Sequence, residues 1–196
     1  MSDPKYLDRN QALFRDVFEK AHSYEAYLDR SEPKHADRWR EAAKHVALTD
    51  EQKAFVGTFT RQINWLVLSG VWCGDCVRQG PIFAAIAAAA PTIDLRFTER
   101  QEGEEITDLL RINGALKVPV SVLLSEDFFE VQRFGDRTLS TYRAKAQREI
   151  GASCSTGLVV GQDDALATET AEWIDIIERV HLVLRTAPML RERHGD

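Results

Sequence analysis

The apolar run Trp65-Leu66-Val67-Leu68 leads directly into Val71-Trp72-Cys73-Gly74-Asp75-Cys76, and an alanine-rich apolar stretch follows. This join constrains the fold more than any other part of the chain. A short run rich in Trp, Val and Leu reads as a buried strand, and the stretch from Asp75 to Ala90 reads as a helix. Both thiols therefore fall where a strand ends and a helix begins. Unpaired N–H groups and a partial positive charge at a helix start favour a cysteine there as thiolate, the nucleophilic form. Cys73, nearest the strand end, is the candidate nucleophile. Cys76, one turn further in, is placed to resolve a mixed disulfide made by the first sulfur. The same spacing also serves as half of a zinc site. Zinc would need two more ligands, and Cys154, His22, His35, His45, His181 and His194 show no ligand spacing, so no metal is expected.

Four landmarks surround the pair. Trp72 precedes it, Pro81 lies inside the helix that follows, Val118-Pro119 introduces a second apolar run, and Gly135 comes later. On these residues the stretch from about 64 to 135 resembles the thioredoxin-like family. The resemblance implies thiol-disulfide exchange, a cis peptide bond at Pro119 facing the dithiol, and a substrate-binding surface at Trp72, Val118 and Pro119. Trp72 is read either as a lid that contacts partners or as an apolar plug at the strand end. Two residues depart from the pattern. Val67 stands where thioredoxin keeps a buried aspartate that assists the resolving thiol. Gly74 and Asp75 separate the cysteines and are expected to modulate them; thioredoxin has proline at the position of Asp75. Either the carboxylate opposes the Cys73 thiolate, giving a less acidic thiol and a more reducing couple, or Asp75 is a solvated helix-start residue.

With 196 residues, 44% of them hydrophobic, the chain can bury a substantial core. Its 31 acidic and 25 basic side chains give a formal charge of -6, which disfavours nucleic acid or an anionic membrane as partner. The N-terminus has no apolar signal-like region, and no run approaches the length of a membrane span. Three cysteines make no secreted-type disulfide framework. A cytoplasmic, reducing setting is expected.

Helical periodicity predicts one amphipathic helix over 9–30, a second from Pro33, and a third opened by the capping box Thr49-Asp50-Glu51-Gln52 and running through Phe59. No convincing strand precedes Arg61, so the sheet is expected to lack a first strand. Strands are predicted at 63–69, 93–98, 120–125 and 128–134, the last two as a hairpin around Glu126-Asp127. Helices are predicted at 75–90, 106–112 and 139–150, with a final helix from about Ala167 carrying Trp173, Ile177, Val180 and Leu184. Trp39, Trp65 and Trp173 are assigned to the core, Cys154 to a polar loop as a free thiol, and Glu99, Glu102, Glu104 and Glu105 to a solvated loop.

The expected architecture is thioredoxin-like α/β, a central mixed sheet of about four strands flanked by helices. Residues 1–60 form an N-terminal helical extension packed on the core, and 61–196 form the thioredoxin-like domain with its C-terminal helix. The expected function is thiol-disulfide exchange by Cys73 and Cys76 with a disulfide-containing protein or a small thiol substrate, in the reducing direction, with an unassigned reductant and no cofactor. The alternative is a protein-binding module of the same fold with a vestigial or regulatory dithiol.

Overall fold

In a computed structural model that describes residues 5–151 and 165–195, β1 (Ile63–Ser69) is buried at every position. A strand covered on both faces accounts for its unbroken apolar run. Its neighbours are β2 (Ile93–Glu99), parallel to it in the register Ile63 to Ile93, and β3 (Val120–Leu124), antiparallel. β4 (Glu130–Gly135) pairs antiparallel with β3, and the sheet order is β2-β1-β3-β4. The protein is thus α/β, with a four-stranded mixed sheet flanked by helices.

Two aromatic clusters bind helices to the sheet. Trp65 lies 4.8 Å from Phe83 of α5 (Gly74–Ala89) and 5.7 Å from Trp173 of α8 (Ala165–Thr186), measured between ring centres. Phe97 of β2 meets Tyr24 and Tyr27 of α2 (Tyr24–Asp29) and Trp39 of α3 (Pro33–Ala43) at 5.4 to 5.9 Å. Rings at such separations add about 0.5–1.5 kcal/mol per pair beyond their buried area. α3 lies on α5 across Gly80, where a Cβ would stand 1.9 Å from the Trp39 ring. Only glycine permits so close an approach. Trp39, Trp65 and Trp173 are all buried.

Among the described residues, the segment before β1 is built of helices, with one correction. The helix expected over 9–30 is two, α1 (Gln11–Lys20) and α2, because Ala21 is extended and Ser23 caps the second. At the break, His22 and Phe97 exchange backbone hydrogen bonds of 2.9 and 2.7 Å, an isolated bridge on the outer edge of β2. Just before α1, Asp8 accepts a hydrogen bond from the Glu130 backbone N–H at 2.7 Å, on the opposite edge of the sheet. Among the described residues no strand precedes Ile63.

Other boundaries move for local reasons. The Thr49–Gln52 capping box is present in both directions, but α4 (Asp50–Val56) stops short of Phe59, giving way at Gly57. The short helix expected at 106–112 is α6 (Glu104–Thr107), a turn earlier, with two glutamates in its first turn where the helix dipole favours them. Asn113 and Gly114 form the following turn with positive φ. The hairpin is wider than expected: Phe128 adopts φ 65° and stays outside β4, while Ser125 Oγ accepts from the backbone of Asp127 and Phe129. α7 (Leu139–Ile150) matches its expectation, and the final helix is broken at Pro188 into α8 and α9 (Pro188–His194). Cys154 lies outside the described residues. Among those described, no helix is long and apolar enough to cross a membrane.

Candidate active site

β1 delivers the chain to Ser69, and a tight turn places Cys73 as the residue capping the start of α5. The turn is fixed from both sides. Trp39 Nε1 donates to the Val71 carbonyl at 2.8 Å, Glu99 accepts from the Val71 N–H at 3.0 Å, and Cys73 N–H bonds back to Gly70 at 2.8 Å. Trp72 is exposed to 41%, and the Arg100 guanidinium lies 5.2 Å from its ring centre.

The two thiols are inequivalent. Cys73 is half-buried and Cys76 only 1% exposed. The Cys73 thiol is pushed down to about 6. Hydrogen bonding from the Cys76 thiol does most of this; burial opposes it, and the backbone N–H groups of Cys76 and Asp75 add to the lowering. The Asp75 carboxylate opposes it least of all. Burial pushes the Cys76 thiol well up, and donation to Cys73 holds its proton further. One sulfur is thus charged near neutrality while its neighbour stays protonated, the division of labour that stepwise disulfide exchange needs.

Asp75 is not solvated. Its side chain is 16% exposed and lies 2.5 Å from Arg137 and 3.1 Å from Arg78. These guanidinium groups offset the negative charge that the carboxylate projects towards Cys73. Arg78 continues to Glu169 of α8 at 2.8 Å, a carboxylate with 2% of its side chain exposed.

The Val118-Pro119 peptide bond is cis. The Val118 carbonyl faces the first cysteine, whose sulfur lies 3.6 Å from that oxygen and in its protonated form donates to it. Close behind, a Cβ at Gly135 would approach the Pro119 carbonyl to 2.8 Å, so glycine lets the end of β4 pass there. The Gly135-Asp136 peptide is also cis. Buried Asp136 accepts from Tyr142 and sits 3.3 Å from Lys117 and 3.5 Å from Arg137. Burial alone would raise its carboxyl, but hydrogen bonds from Tyr142, its own backbone N–H and Lys117, with the Lys117 charge, together hold it low. The network Asp75–Arg137–Asp136–Lys117 therefore joins the start of α5 to the loop before Pro119.

The structure brings together Trp72, Cys73, Gly74, Asp75, Cys76, Val118 and Pro119. Sequence reasoning missed the charged residues that support them, Arg78, Lys117, Asp136 and Arg137. Asp136 and Arg137 directly follow the Gly135 landmark, and that adjacency was the available signal. It also misplaced Glu99, which ends β2, accepts hydrogen bonds from Tyr27 and Val71, and is not a solvated loop residue. Glu102 pairs with Arg30 at 2.5 Å. Val67 is fully buried, paired in the sheet with Phe97 and Ser121. Among the described residues no group of three or more His, Cys, Asp or Glu side chains could hold a metal ion.

A family model described as Thioredoxin matches residues 21–147. Among solved structures, the chain is similar to a protein of unknown function, PA1234, from Pseudomonas aeruginosa, at 18% identity and a TM-score of 0.64, over 84% of this chain and 96% of that one. It is also similar to an HIV epitope scaffold at 16% identity and a TM-score of 0.58, over 81% of this chain and 96% of the scaffold. No curated protein matches.

Proposed function

We propose, since the chain belongs to the thioredoxin family, that it is a thiol-disulfide oxidoreductase working through Cys73 and Cys76. The single observation that carries this reading is the placement of a half-buried Cys73 at the start of α5, against the Val118 carbonyl, with the buried Cys76 one turn further in; a Cys73 thiol pushed down to about 6 agrees with it. In the reaction, Cys73 thiolate attacks one sulfur of a partner disulfide, and the other partner sulfur leaves as a thiolate that takes a proton from water. The mixed disulfide then lies along the Val118 backbone, with Trp72 as exposed apolar contact surface. Cys76 loses its proton and attacks Cys73 Sγ, the bond from Cys73 to the partner breaks, and the partner leaves with both its sulfurs reduced. Two electrons pass to the partner, and the protein is left with a Cys73–Cys76 disulfide, which an external dithiol must reduce again.

The partner class is a disulfide-containing protein or a small disulfide, and the setting is a reducing compartment such as the cytoplasm. Reaction of Cys76→Ser with a cell extract tests the reading. Mixed disulfides on Cys73 that a reductant releases are expected, together with multiple turnovers of insulin disulfide reduction by the unmodified protein and none by Cys73→Ser. A protein that binds partners without cycling its thiols would overturn it and leave a binding module.

A further inference from the structure

The chain carries a formal charge of -6, yet two guanidinium groups beside the cysteine turn are held by neutral partners. Arg100 directly follows β2, and its backbone N–H donates to the Ser69 carbonyl at the end of β1, at 2.8 Å. From there its side chain reaches both loops that meet at Cys73. The guanidinium lies 5.2 Å from the centre of the Trp72 ring and donates to the Leu116 carbonyl at 3.4 Å. Arg38, exposed on α3, donates to the Trp72 carbonyl at 3.4 Å. Among the described residues neither arginine is in an ion pair.

The carboxylates close to them in sequence are engaged elsewhere. Asp37 lies 3.8 Å from Arg40, Glu102 pairs with Arg30 at 2.5 Å, and Glu99 accepts from the Tyr27 phenol and the Val71 N–H. A cation satisfied by carbonyls and a ring keeps its charge for an incoming anion, and its field is felt across roughly 8 Å at physiological ionic strength. The surface between the two arginines is apolar. Trp72, next to Cys73, and Leu116, two residues before the Val118 carbonyl that faces the sulfur, are each 41% exposed. The indole is seated against Gly70, where a Cβ would stand 2.9 Å from the ring.

We propose that this surface selects polypeptide disulfides that carry carboxylate side chains beside the half-cystine. Arg38 and Arg100 receive the carboxylates, while Trp72 and Leu116 cover apolar groups of the same chain. The assignment names the substrate class of the exchange reaction proposed above and rests on it. The chemistry is that reaction unchanged: two electrons pass from the Cys73 and Cys76 thiols to the partner disulfide, which leaves as a dithiol. The arginines make and break no bond; they hold the acidic chain where the sulfurs meet. A small anionic disulfide meets the charges but leaves both apolar side chains uncovered, which is why the occupant is a polypeptide.

Two synthetic peptides test this, each closed by one disulfide and alike except for glutamates or lysines beside the half-cystines. Reduced protein is mixed with each, and loss of the peptide disulfide is followed over a single turnover. Dividing each rate by that with dithiothreitol, an uncharged dithiol, removes the peptide's intrinsic reactivity. The corrected glutamate-to-lysine ratio should be on the order of tenfold at low ionic strength and shrink towards one in about 0.5 M salt. Arg38→Gln and Arg100→Gln should each lower the ratio by about twofold or more, Arg38→Lys and Arg100→Lys should keep most of it, and Arg38→Glu with Arg100→Glu should invert it. A merely structural role would slow both peptides alike and leave the ratio standing; that result, or a parent ratio near one, overturns the proposal. Arg38 is exposed on α3, so its variants decide the matter even if those of Arg100 fail to fold. Glutathione disulfide, an anion, and cystamine, a cation, form the small-molecule arm, and a preference there as large as the peptides' overturns the polypeptide assignment. Reduced protein that opens none of these disulfides would instead refute the exchange reading, and the selection with it.

Discussion

Cys73 Sγ lies 3.6 Å from the carbonyl oxygen of Val118, so the helix start that carries the acidic thiol and the loop that enters β3 meet at the sulfur itself. In sequence they are far apart. The pairing of β1 with β3 sets them side by side, and the run of charges from Asp75 through Arg137 and Asp136 to Lys117 bridges them.

The pH dependence of alkylation reports the electrostatics directly. The rate at which iodoacetamide modifies Cys73 should follow thiolate formation, rising with pH, half-maximal near about 6 and level above. Cys76→Ala removes the largest lowering influence, the neighbouring S–H donor, and should move the midpoint upward. A parent midpoint near the ordinary thiol value of 9.0 would contradict the geometry.

Asp75→Asn separates charge from position. Its carboxylate opposes the Cys73 thiolate only weakly, so the alkylation midpoint should fall, by less than Cys76→Ala raises it. The lower thiol value stabilises the reduced state, and titration against glutathione should show a less reducing couple. The same change leaves Arg137, with 23% of its side chain exposed, without one carboxylate partner. Urea unfolding should register a loss of about 1–3 kcal/mol, below the range for a fully buried pair.

Gly80→Ala tests the seat of α3 on α5. Alanine gains about 1 kcal/mol of helix propensity, but its Cβ would stand 1.9 Å from an indole that is itself buried and tied to Val71. Overpacking costs about 1–3 kcal/mol or more. The clash should win, with a lower melting temperature, and because Trp39 also holds the Val71 carbonyl, Cys73 alkylation should change too.

His181 on α8 stacks on Phe59 at 4.5 Å and accepts the Thr60 N–H at 3.1 Å. Burial, then the fields of Arg185 and Arg61, lower its value below the ordinary 6.5. The unfolded chain therefore takes up the proton first as the pH falls, and stability drops from about 6.5 downward until the folded form also titrates. Urea midpoints at pH 7.5 and pH 5 should differ less for His181→Phe than for the parent, because the substitution keeps the stacked ring and removes the titration.

The strand–helix join, the capping box at Thr49 and the stripe from Trp173 to Leu184 were legible in the sequence because each depends on neighbours a few residues apart. Periodicity could not show the break at Ala21-His22, since its cause is a partner on β2 rather than anything in the local pattern. The same holds for the supporting charges. Arg137 and Lys117 read as ordinary surface cations until the sheet brings them to Asp75 and Asp136. Glu99 looked solvated because acidic residues surround it in the chain; Tyr27, which engages it, arrives from another element.

The hydrogen bonds at Asp8 and His22 make α1 a clasp, fastened at Glu130 on one margin of the sheet and at Phe97 on the other. An uncovered margin strand is a template on which a foreign strand can grow, the usual beginning of uncontrolled association. At Phe97 both backbone groups are already taken by His22, so a chain approaching the β2 margin finds the ladder interrupted at that residue. The helical segment thereby blocks strand-like pairing at that point of the β2 margin.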